Sequence, residues 1–382
     1  MRTLYDEIRS PRKPIRWNTL LPPAICVAVA FGLLGVFEAV KCNRAWMNYL
    51  IEYVTSPIKR GISWLFDPLP FGVAEVIWAV AALAAVGFLL RWLWLTITRG
   101  EKLLRAVRRL LALVAAVAII YCGYTLLWGV NYYGDDFSDK SGIATRGASV
   151  EELAILNQAF VEQLNALAGE VQRDGNGVFC EDVDGIFSRT VGLYEGIEQE
   201  FPFLDAPDRA VNQMFFGPIV SRMGFTGFFF PFTGESLVND DTPACLIPAT
   251  ILHEIAHQRN IAGEDECNFL AVVAGLRSDD VVYAYSSTLL GYIHLGNALY
   301  EADRDTYYAI RAKLDSRVSA DLAANNAYWN QFDSPVEEAV EQVSTTVYEN
   351  FLQSYDQTDG MKSYGKCVDL LVAYYFDYKW AE

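Results

Sequence analysis

The sequence contains few histidines, and its cysteines are not paired in short spacings. The 382 residues include three histidines and seven cysteines, and no two cysteines form a C-x-x-C arrangement. A cysteine-rich zinc or redox site is therefore disfavoured. One or two disulfides are possible, but the spacing does not say which cysteines would pair. The sequence also lacks internal repeats and low-complexity segments, which excludes repeat architectures and disordered chains.

Positive charge is scarce in the larger, C-terminal part of the chain. Residues 1–131 carry 15 Lys and Arg against 7 Asp and Glu, whereas residues 132–382 carry 15 against 40. The acidic part has no basic patch that could neutralise phosphates, so nucleic acid is excluded as a partner. We therefore expect two physically different parts in one chain.

Apolar residues are abundant and concentrated in three runs. Hydrophobic residues make up 52% of the chain, and the runs lie near 20–40, 71–97 and 110–130. Each is long enough to cross a hydrocarbon core of about 30 Å as a helix. They predict three transmembrane helices, with the lipid bilayer as a partner. A cleaved signal peptide is the alternative for the first run, but that run exceeds the usual apolar core of about 7–15 residues and no small-x-small site follows it.

Basic residues flank the apolar runs asymmetrically. Those before the first run are Arg2, Arg9, Arg12, Lys13 and Arg16, and those between the second and third are Arg91, Arg99, Lys102, Arg105, Arg108 and Arg109. The positive-inside rule assigns both groups to the cytoplasm. We therefore expect a multi-pass plasma-membrane protein with a cytoplasmic N-terminus, a membrane anchor at 1–133 and an extracytoplasmic domain at 134–382.

Helical periodicity dominates the second part. Ser149 and Glu152 form a capping-box pattern before a helix, and further helices are predicted over 183–200, 279–302, 304–328, 335–355 and 363–380. Segment 227–241 is aromatic, interrupted by Pro231 and Gly234, and predicted to be extended. We interpret it as the edge strand of a cleft, with residues 235–239 alternating as an edge strand does; a membrane-proximal hydrophobic plug is the alternative. These patterns predict a mainly helical α+β domain for residues 134–382.

Two of the three histidines stand in the motif His253-Glu254-Ile255-Ala256-His257. On a helix, residues at i and i+4 project from the same face, so two imidazoles can share one zinc ion. Glu254 then lies one residue further round, where a carboxylate can act as general base. Such a motif is unexpected by chance in a chain with three histidines, and it predicts a Zn²⁺ site.

A third ligand is expected shortly after His257. Glu264, Asp265 and Glu266 follow a turn glycine, and Asn268 stands four residues after Glu264. This spacing is similar to that of gluzincin-type peptidases, in which a glutamate on the next helix binds the metal and an Asp or Asn four residues later orients a ligand histidine. Glu264 is the first choice because its spacing to Asn268 fits, and Glu266 is the second. For either residue the alternative is a solvated acid at a helix N-terminus, a position that the helix dipole favours.

A catalytic site of this kind also needs a donor for the developing oxyanion. The candidates are His294, Tyr285 and Tyr292, all in the segment VVYAYSSTLLGYIHLG. For each of the three, a packing role in the core is the competing interpretation.

Taken with these residues, several segments carry a resemblance to a known family. They are LWGVNYY after the third run, FFFPFTGE before the motif, HEIAHQ, EDECNFLA, and SYG near the C-terminus. The chain resembles a bacterial family of membrane-anchored, zincin-like metallopeptidases over almost its whole length. The resemblance implies a zincin-like fold and a zinc cofactor, with His253, His257 and an EDE glutamate as ligands and Glu254 as base. It supplies no substrate; a protein or peptide of the cell envelope is the substrate we expect for a peptidase on the extracytoplasmic side. This chain departs from the pattern at Cys267, where alanine is usual, and at Asn260, where glycine is common.

Two other functions use the same residues. The first is a zinc hydrolase acting on a non-peptide amide of the envelope. The second is a non-catalytic, zinc-stabilised sensor or scaffold, in which Glu254 would not be needed. The presence of Glu254 favours an enzyme over the scaffold, and only the substrate distinguishes the two hydrolases.

Overall fold

The computed structural model describes residues 17–69, 71–99, 103–357 and 364–379. The predicted basic tail from Arg2 to Arg16, Lys102, and the residues that bound the last predicted helix at 363 and 380 lie outside the described residues. Within the described residues the fold is mostly helical, with one small sheet.

The helices of the first third of the chain are long and apolar or short and amphipathic. They are α1 (Leu21–Val40), α2 (Arg44–Leu50), α3 (Ser56–Phe66), α4 (Val73–Arg99) and α5 (Leu103–Leu127), with a π-helical segment at Ile51–Thr55 that joins α2 to α3. Helices at Asn18–Val40, Val73–Ile97 and Arg105–Leu127 are long and apolar enough to cross a membrane. The expectation of three membrane-length helices is thus confirmed by length and composition.

The rest of the chain forms short helices, three strands and a group of longer helices. The elements are α6 (Phe137–Ser141), α7 (Val150–Leu167), α8 (Val183–Phe187), α9 (Glu195–Glu198), β1 (Val211–Gln213), α10 (Gly217–Ser221), β2 (Gly227–Phe230), β3 (Glu235–Val238), α11 (Ile247–Gln258), α12 (Glu264–Leu276), α13 (Val281–Ala302), α14 (Arg304–Arg311), α15 (Ser316–Asn330), α16 (Pro335–Gln353) and α17 (Tyr364–Val372).

Some predicted helices are divided in the structure. The helix predicted over 183–200 is wrong: α8 and α9 are separated by Gly192, whose φ of 83° lies in the left-handed region and ends helical geometry. The helix predicted over 304–328 is likewise split, because the Asp315 side chain accepts from the Arg317 N–H and starts a new helix. The capping box of Ser149 and Glu152 is confirmed at the start of α7.

The sheet has the strand order β1-β3-β2. β3 pairs parallel with β1 and antiparallel with β2, so Phe229 lies opposite Ser236 and Asn212 opposite Leu237. All four residues of β3 are buried. The expectation that residues 235–239 form the edge is therefore wrong, because β1, which is distant in sequence, covers that side. Within the segment predicted as an edge strand, β2, the first strand of the β2–β3 hairpin, lies at an edge of the sheet.

The chain divides into two compact units. One comprises residues up to Asn43 together with Trp78–Leu126, and contains most of the three membrane-length helices. The other comprises Arg44–Ile77 together with the residues from Leu127 onward, so it is built from two separate stretches of chain. Its core lies among α7, α11, α12, α13 and α17. The predicted boundary at 133/134 stays a prediction, and the connector between the first two spans groups with the larger unit.

All seven cysteines have free thiols. Cys245, Cys267 and Cys367 are buried, and the other four are exposed or half-buried. The disulfides that the spacing leaves open are not formed in this structure.

Candidate metal centre

Helix α11 carries the motif and is held at both ends. Pro248 stands in its first turn, and the Ala249 N–H, one of the groups that a helix start leaves unpaired, donates to Ser286 Oγ at 3.0 Å. At the other end, Asn260 adopts a φ of 66° and the Ile261 N–H returns to the carbonyl of Ala256. This Schellman-type ending needs a left-handed residue, and asparagine tolerates that conformation when glycine is absent.

The Nε2 atoms of the two motif histidines converge on one carboxylate oxygen. Glu264 Oε2 lies 3.1 Å from His253 Nε2 and 3.8 Å from His257 Nε2. Ligand atoms of a tetrahedral zinc ion with bonds of about 2.0–2.1 Å are separated by about 3.3 Å. The two distances to Glu264 Oε2 are therefore close to the separation of ligand atoms on one metal ion.

The second nitrogen of each histidine is already engaged. His253 Nδ1 lies 2.9 Å from Asn268 Oδ1, and His257 Nδ1 lies 2.8 Å from the carbonyl of Ile261. A carbonyl oxygen only accepts, so the proton of His257 is on Nδ1 and its Nε2 lone pair is free to bind a metal. The Asn268 amide oxygen fixes His253 in the same way. Four residues separate Glu264 from Asn268, as the spacing predicts.

Cys267 offers a competing donor set. His253, His257 and Cys267 each have a ligand atom within 4.8 Å of the others. However, Cys267 Sγ lies 3.3 Å from His257 Nδ1, the nitrogen that already donates to a carbonyl, and 3.5 Å from that same carbonyl. Burial also raises the pKa of this thiol well above its usual value. Cys267 thus contacts the Nδ1 side of His257, which faces away from Glu264. The set formed by the two Nε2 atoms and Glu264 fits a metal better.

Glu254 is buried beside this set. Its Oε2 has no hydrogen-bond partner among the described residues. Burial raises the pKa of its carboxyl group to about 8; the nearby His253 lowers it and Glu264 raises it further. A buried carboxyl group that lacks a partner is costly for a fold, and groups of this kind are common at catalytic sites.

Strand β2 passes directly beside Glu254. A Cβ atom added to Gly227 would lie 2.5 Å from Glu254 Oε1, so a larger residue at this position would displace the Glu254 carboxyl group. The Ser236 hydroxyl of β3 donates to the main-chain carbonyl of Glu254 at 3.0 Å. The sheet is thereby fixed against the helix at the residue that the sequence assigns as base.

Other candidate residues have different surroundings. The Glu266 carboxylate accepts from the N–H groups of Phe137 and Ser138, at 2.8 and 3.4 Å, so it caps α6. Burial raises the pKa of Glu266 to about 8. Tyr285 is buried and donates to Asp321. The structure therefore does not bring Glu266 or Tyr285 to the metal-binding atoms.

His294 and Tyr292 are both buried on α13. Burial lowers the pKa of His294 to about 4, with a further lowering from the charge of His253, so the ring is neutral at pH 7. Burial raises the pKa of Tyr292. His294 stays a candidate hydrogen-bond donor to a developing oxyanion.

Two residues at the site were not predicted from the sequence. The Tyr348 hydroxyl of α16 donates to Glu264 Oε1 at 2.8 Å across 84 positions of sequence. The Trp128 ring meets the His257 ring edge-on with centroids 5.5 Å apart. Neither residue belongs to a local pattern that marks a site, and only the folded chain brings them to it.

Comparison with curated proteins and with solved structures gives no match to this chain. A family model described as "Protein of unknown function (DUF3810)" matches residues 50–372. The matched region includes the second and third membrane-length helices, Trp128, the whole of α11 and α12, and Tyr348. The chain therefore belongs to the DUF3810 family of proteins of unknown function.

Proposed function

We propose that this protein is a membrane-anchored, zinc-dependent peptidase with a zincin-like domain. The observation that carries the proposal is the convergence of His253 Nε2 and His257 Nε2 on Glu264 Oε2, with the second nitrogen of each ring fixed by a hydrogen bond. Two imidazoles and one carboxylate are a common ligand set of catalytic zinc sites, which keep a fourth position open. His253, His257 and Glu264 would hold the metal.

Zinc, when bound, would supply the Lewis acidity that activates water and polarises a peptide carbonyl. The chain's own contribution is proton transfer and charge stabilisation. Glu254 would accept the proton of the attacking water and pass it to the leaving amine, a task that suits a buried carboxylate with one oxygen left without a partner. Tyr348 and His294 are the candidate donors to the oxyanion.

The sheet edge supports a peptide as substrate. Among the described residues, β2 pairs on one side only, with β3. The Asn239 N–H donates to the Thr226 carbonyl, and main-chain groups alternate along an antiparallel pair, so those of Gly227 and Phe229 point to the open side. An extended peptide could add there as a further strand, next to Glu254.

Two alternatives use the same site. A non-peptide amide of the envelope would need no strand-pairing edge, so the open edge of β2 favours a peptide. A zinc-stabilised scaffold would have no use for a buried, unpartnered carboxyl group, so Glu254 argues against it. Neither alternative changes the metal ligands.

The location follows from the membrane-length helices and the charge pattern. Segment 44–77 packs with the chain after Leu127 in one compact unit, and this packing would require both to lie on the same side of a membrane. Three crossings meet this requirement, because the connector after the first span and the chain after the third emerge on one side. The basic residues favour the extracytoplasmic side for that unit.

The test is metal content and peptide hydrolysis by the full chain purified in detergent. We expect about one zinc per chain, cleavage of a mixed peptide library, and loss of cleavage in Glu254→Gln by at least about 1,000-fold with zinc retained, since the base is not a ligand. Glu301→Gln, on the exposed end of α13, is the control for contaminating peptidases. Equal cleavage by Glu254→Gln and the parent chain would overturn the proposal.

A further inference from the structure

An amphipathic helical segment joins the first membrane-length helix to the second. It runs through α2, the π-helical segment and α3, from Arg44 to Phe66. Its inward face is buried in the larger unit, where Asn48 bonds Asp135 and Ser56 bonds Asn260. The position of this segment in the larger unit is therefore fixed by side-chain contacts.

The outward face of the same segment is aromatic and exposed. Its exposed large side chains are Trp46, Tyr49, Tyr53, Ile58, Trp64 and Leu65. Tryptophan and tyrosine are enriched where a protein meets lipid headgroups, because each has an apolar body and a polar tip. The charged exposed residues of the segment, among them Glu52 and Arg60, suit the headgroup level as well.

A second exposed apolar group lies against the entrance of a membrane-length helix. The Glu75 carboxylate in the first turn of α4 accepts from the N–H groups of Phe215 and Phe216, both at 2.8 Å. Phe215 is 83% exposed, and Ile219 is also exposed. Glu75 is two residues into a helix that can cross a membrane. The main chain at Phe215 and Phe216 is thus bonded to the first turn of a helix that can cross a membrane.

A proposed metal ligand contacts the residue that follows the third membrane-length helix. Trp128 is the first residue after α5, the third membrane-length helix, and its ring contacts His257. These contacts all lie within the larger unit, which is joined to the spans by continuous chain at Arg44, Ile77 and Leu127. The chain therefore leaves the third span one side-chain contact away from a proposed metal ligand.

We propose that segment 44–66, together with Phe215 and Ile219, rests in the headgroup–acyl boundary of the bilayer and that the site acts on polypeptide segments close to the membrane surface. The substrate class is the juxtamembrane segment of a membrane- or lipid-anchored protein. This part of the inference rests on the proposed function. The lipid contact does not, because it depends on the exposed aromatic face and its continuity with the spans.

The lipid contact is tested by photo-crosslinking in the full chain. A benzophenone amino acid is placed at Tyr53 or at Tyr308, which are 59% and 56% exposed, and the chain is reconstituted in vesicles of phosphatidylethanolamine and phosphatidylglycerol. We expect at least about five-fold more lipid adduct at position 53 than at 308, since only an interfacial residue reaches the acyl boundary. Equal yields, or a crosslink at position 53 to a second copy of this chain instead of lipid, would overturn the proposal.

The substrate class is tested with one cleavable peptide in three forms. It is free, or tethered to a lipid by a flexible linker of about 5 or about 40 residues, which reach about 13 Å and about 35 Å respectively. We expect the short-tethered form to be cleaved, and the triple variant Trp46→Ser, Tyr53→Ser, Trp64→Ser to lower that cleavage at least about ten-fold while leaving the free peptide unaffected.

Each outcome of the tether experiment decides one claim. Cleavage of the long-tethered form alone would mean that the site stands away from the bilayer, and the inference would fail while the peptidase proposal stood. No cleavage of any form would remove the peptidase proposal and the substrate class with it. The crosslinking result would then still decide the lipid contact.

Discussion

Two buried acidic groups of the larger unit differ in how their oxygens are used. Asp321 on α15 is 0% exposed; one oxygen accepts from Arg173 at 2.6 Å and from Tyr285, and the other accepts from the Phe179 N–H at 2.7 Å. Glu254 on α11 is buried to a similar degree, yet its Oε2 has no partner among the described residues. The first carboxylate is held by hydrogen bonds within the fold, whereas one oxygen of the second is left available beside the three atoms that we propose to bind a metal.

The contrast separates structural from functional burial. A carboxylate with a paired cation and a main-chain donor recovers much of its lost hydration. A buried carboxyl oxygen without a partner costs free energy of folding. Such a group is retained when it serves a reaction. Tyr285 belongs to the first class because it donates to Asp321, which engages the hydroxyl proton that an oxyanion donor would need.

The largest effect on stability is expected at Asp321. Asp321→Ala would leave Arg173 buried without its partner and should lower the free energy of unfolding by about 3–5 kcal/mol. Thermal unfolding of the full chain in detergent measures this. The control Asp315→Ala removes a more exposed carboxylate and should cost about 1 kcal/mol. A similar loss for both variants would remove the distinction drawn between the two buried acids.

The two neighbouring glutamates of α12 form a matched pair. Glu264→Gln should weaken zinc binding by at least about 100-fold, because a charged ligand is lost, whereas Glu266→Gln should leave it nearly unchanged. Competition with a chromogenic chelator measures both affinities. Full zinc retention in Glu264→Gln together with loss in Glu266→Gln would reverse the ligand assignment.

The next largest effect on zinc affinity is expected from the hydrogen bond between Asn268 and His253. Asn268→Ala removes the acceptor for His253 Nδ1 and should weaken zinc binding by about 10–100-fold, with a smaller effect on folding. Asn268→Asp restores an acceptor and should recover most of the affinity. If the alanine variant bound zinc as tightly as the parent chain, orientation of His253 by Asn268 would have no energetic role.

Lys59 extends the comparison of buried ionisable groups from the two acids to a buried cation. Its Nζ donates to Asn260 Oδ1 and lies over the rings of Trp128 and Phe229, and burial lowers its pKa to about 7. The unfolded chain keeps this proton up to about pH 10, so stability should rise between about pH 7 and 10, by at most about 1.4 kcal/mol per pH unit. Lys59→Met should flatten the rise in thermal unfolding. The same slope in both chains would contradict the prediction.

Much of the anchor and the motif helix could be predicted because their signals are local. Apolar length marks the spans, and the i, i+4 spacing of His253 and His257 sets them on one face of α11. The choice between Glu264 and Glu266 could not be made in this way. Both lie in the first turn of α12, and only the packing of α6, whose N–H groups take up the Glu266 carboxylate, separates their roles.

Long-range contacts account for the remaining differences. β3 is central because β1 pairs with it, and this pairing leaves no trace in the alternation of residues 235–239. Tyr348 reaches Glu264 through the packing of α16. The break at Gly192 is a backbone property that helical periodicity alone does not reveal. Patterns of neighbouring residues thus predict elements, and contacts between distant elements assign the roles.

The division of the larger unit into two stretches of chain has a consequence for biogenesis. The contact between Lys59 and Asn260 joins residues 201 positions apart, with two membrane-length helices between them in sequence. Synthesis proceeds from the N-terminus. If the three helices cross a membrane as proposed, segment 44–77 must wait until the second and third helices have been inserted and the later chain has emerged on the same side. A chain with one helix misinserted would have these two stretches on opposite sides of the membrane. Correct insertion is thus a checkpoint that must be passed before the site can assemble.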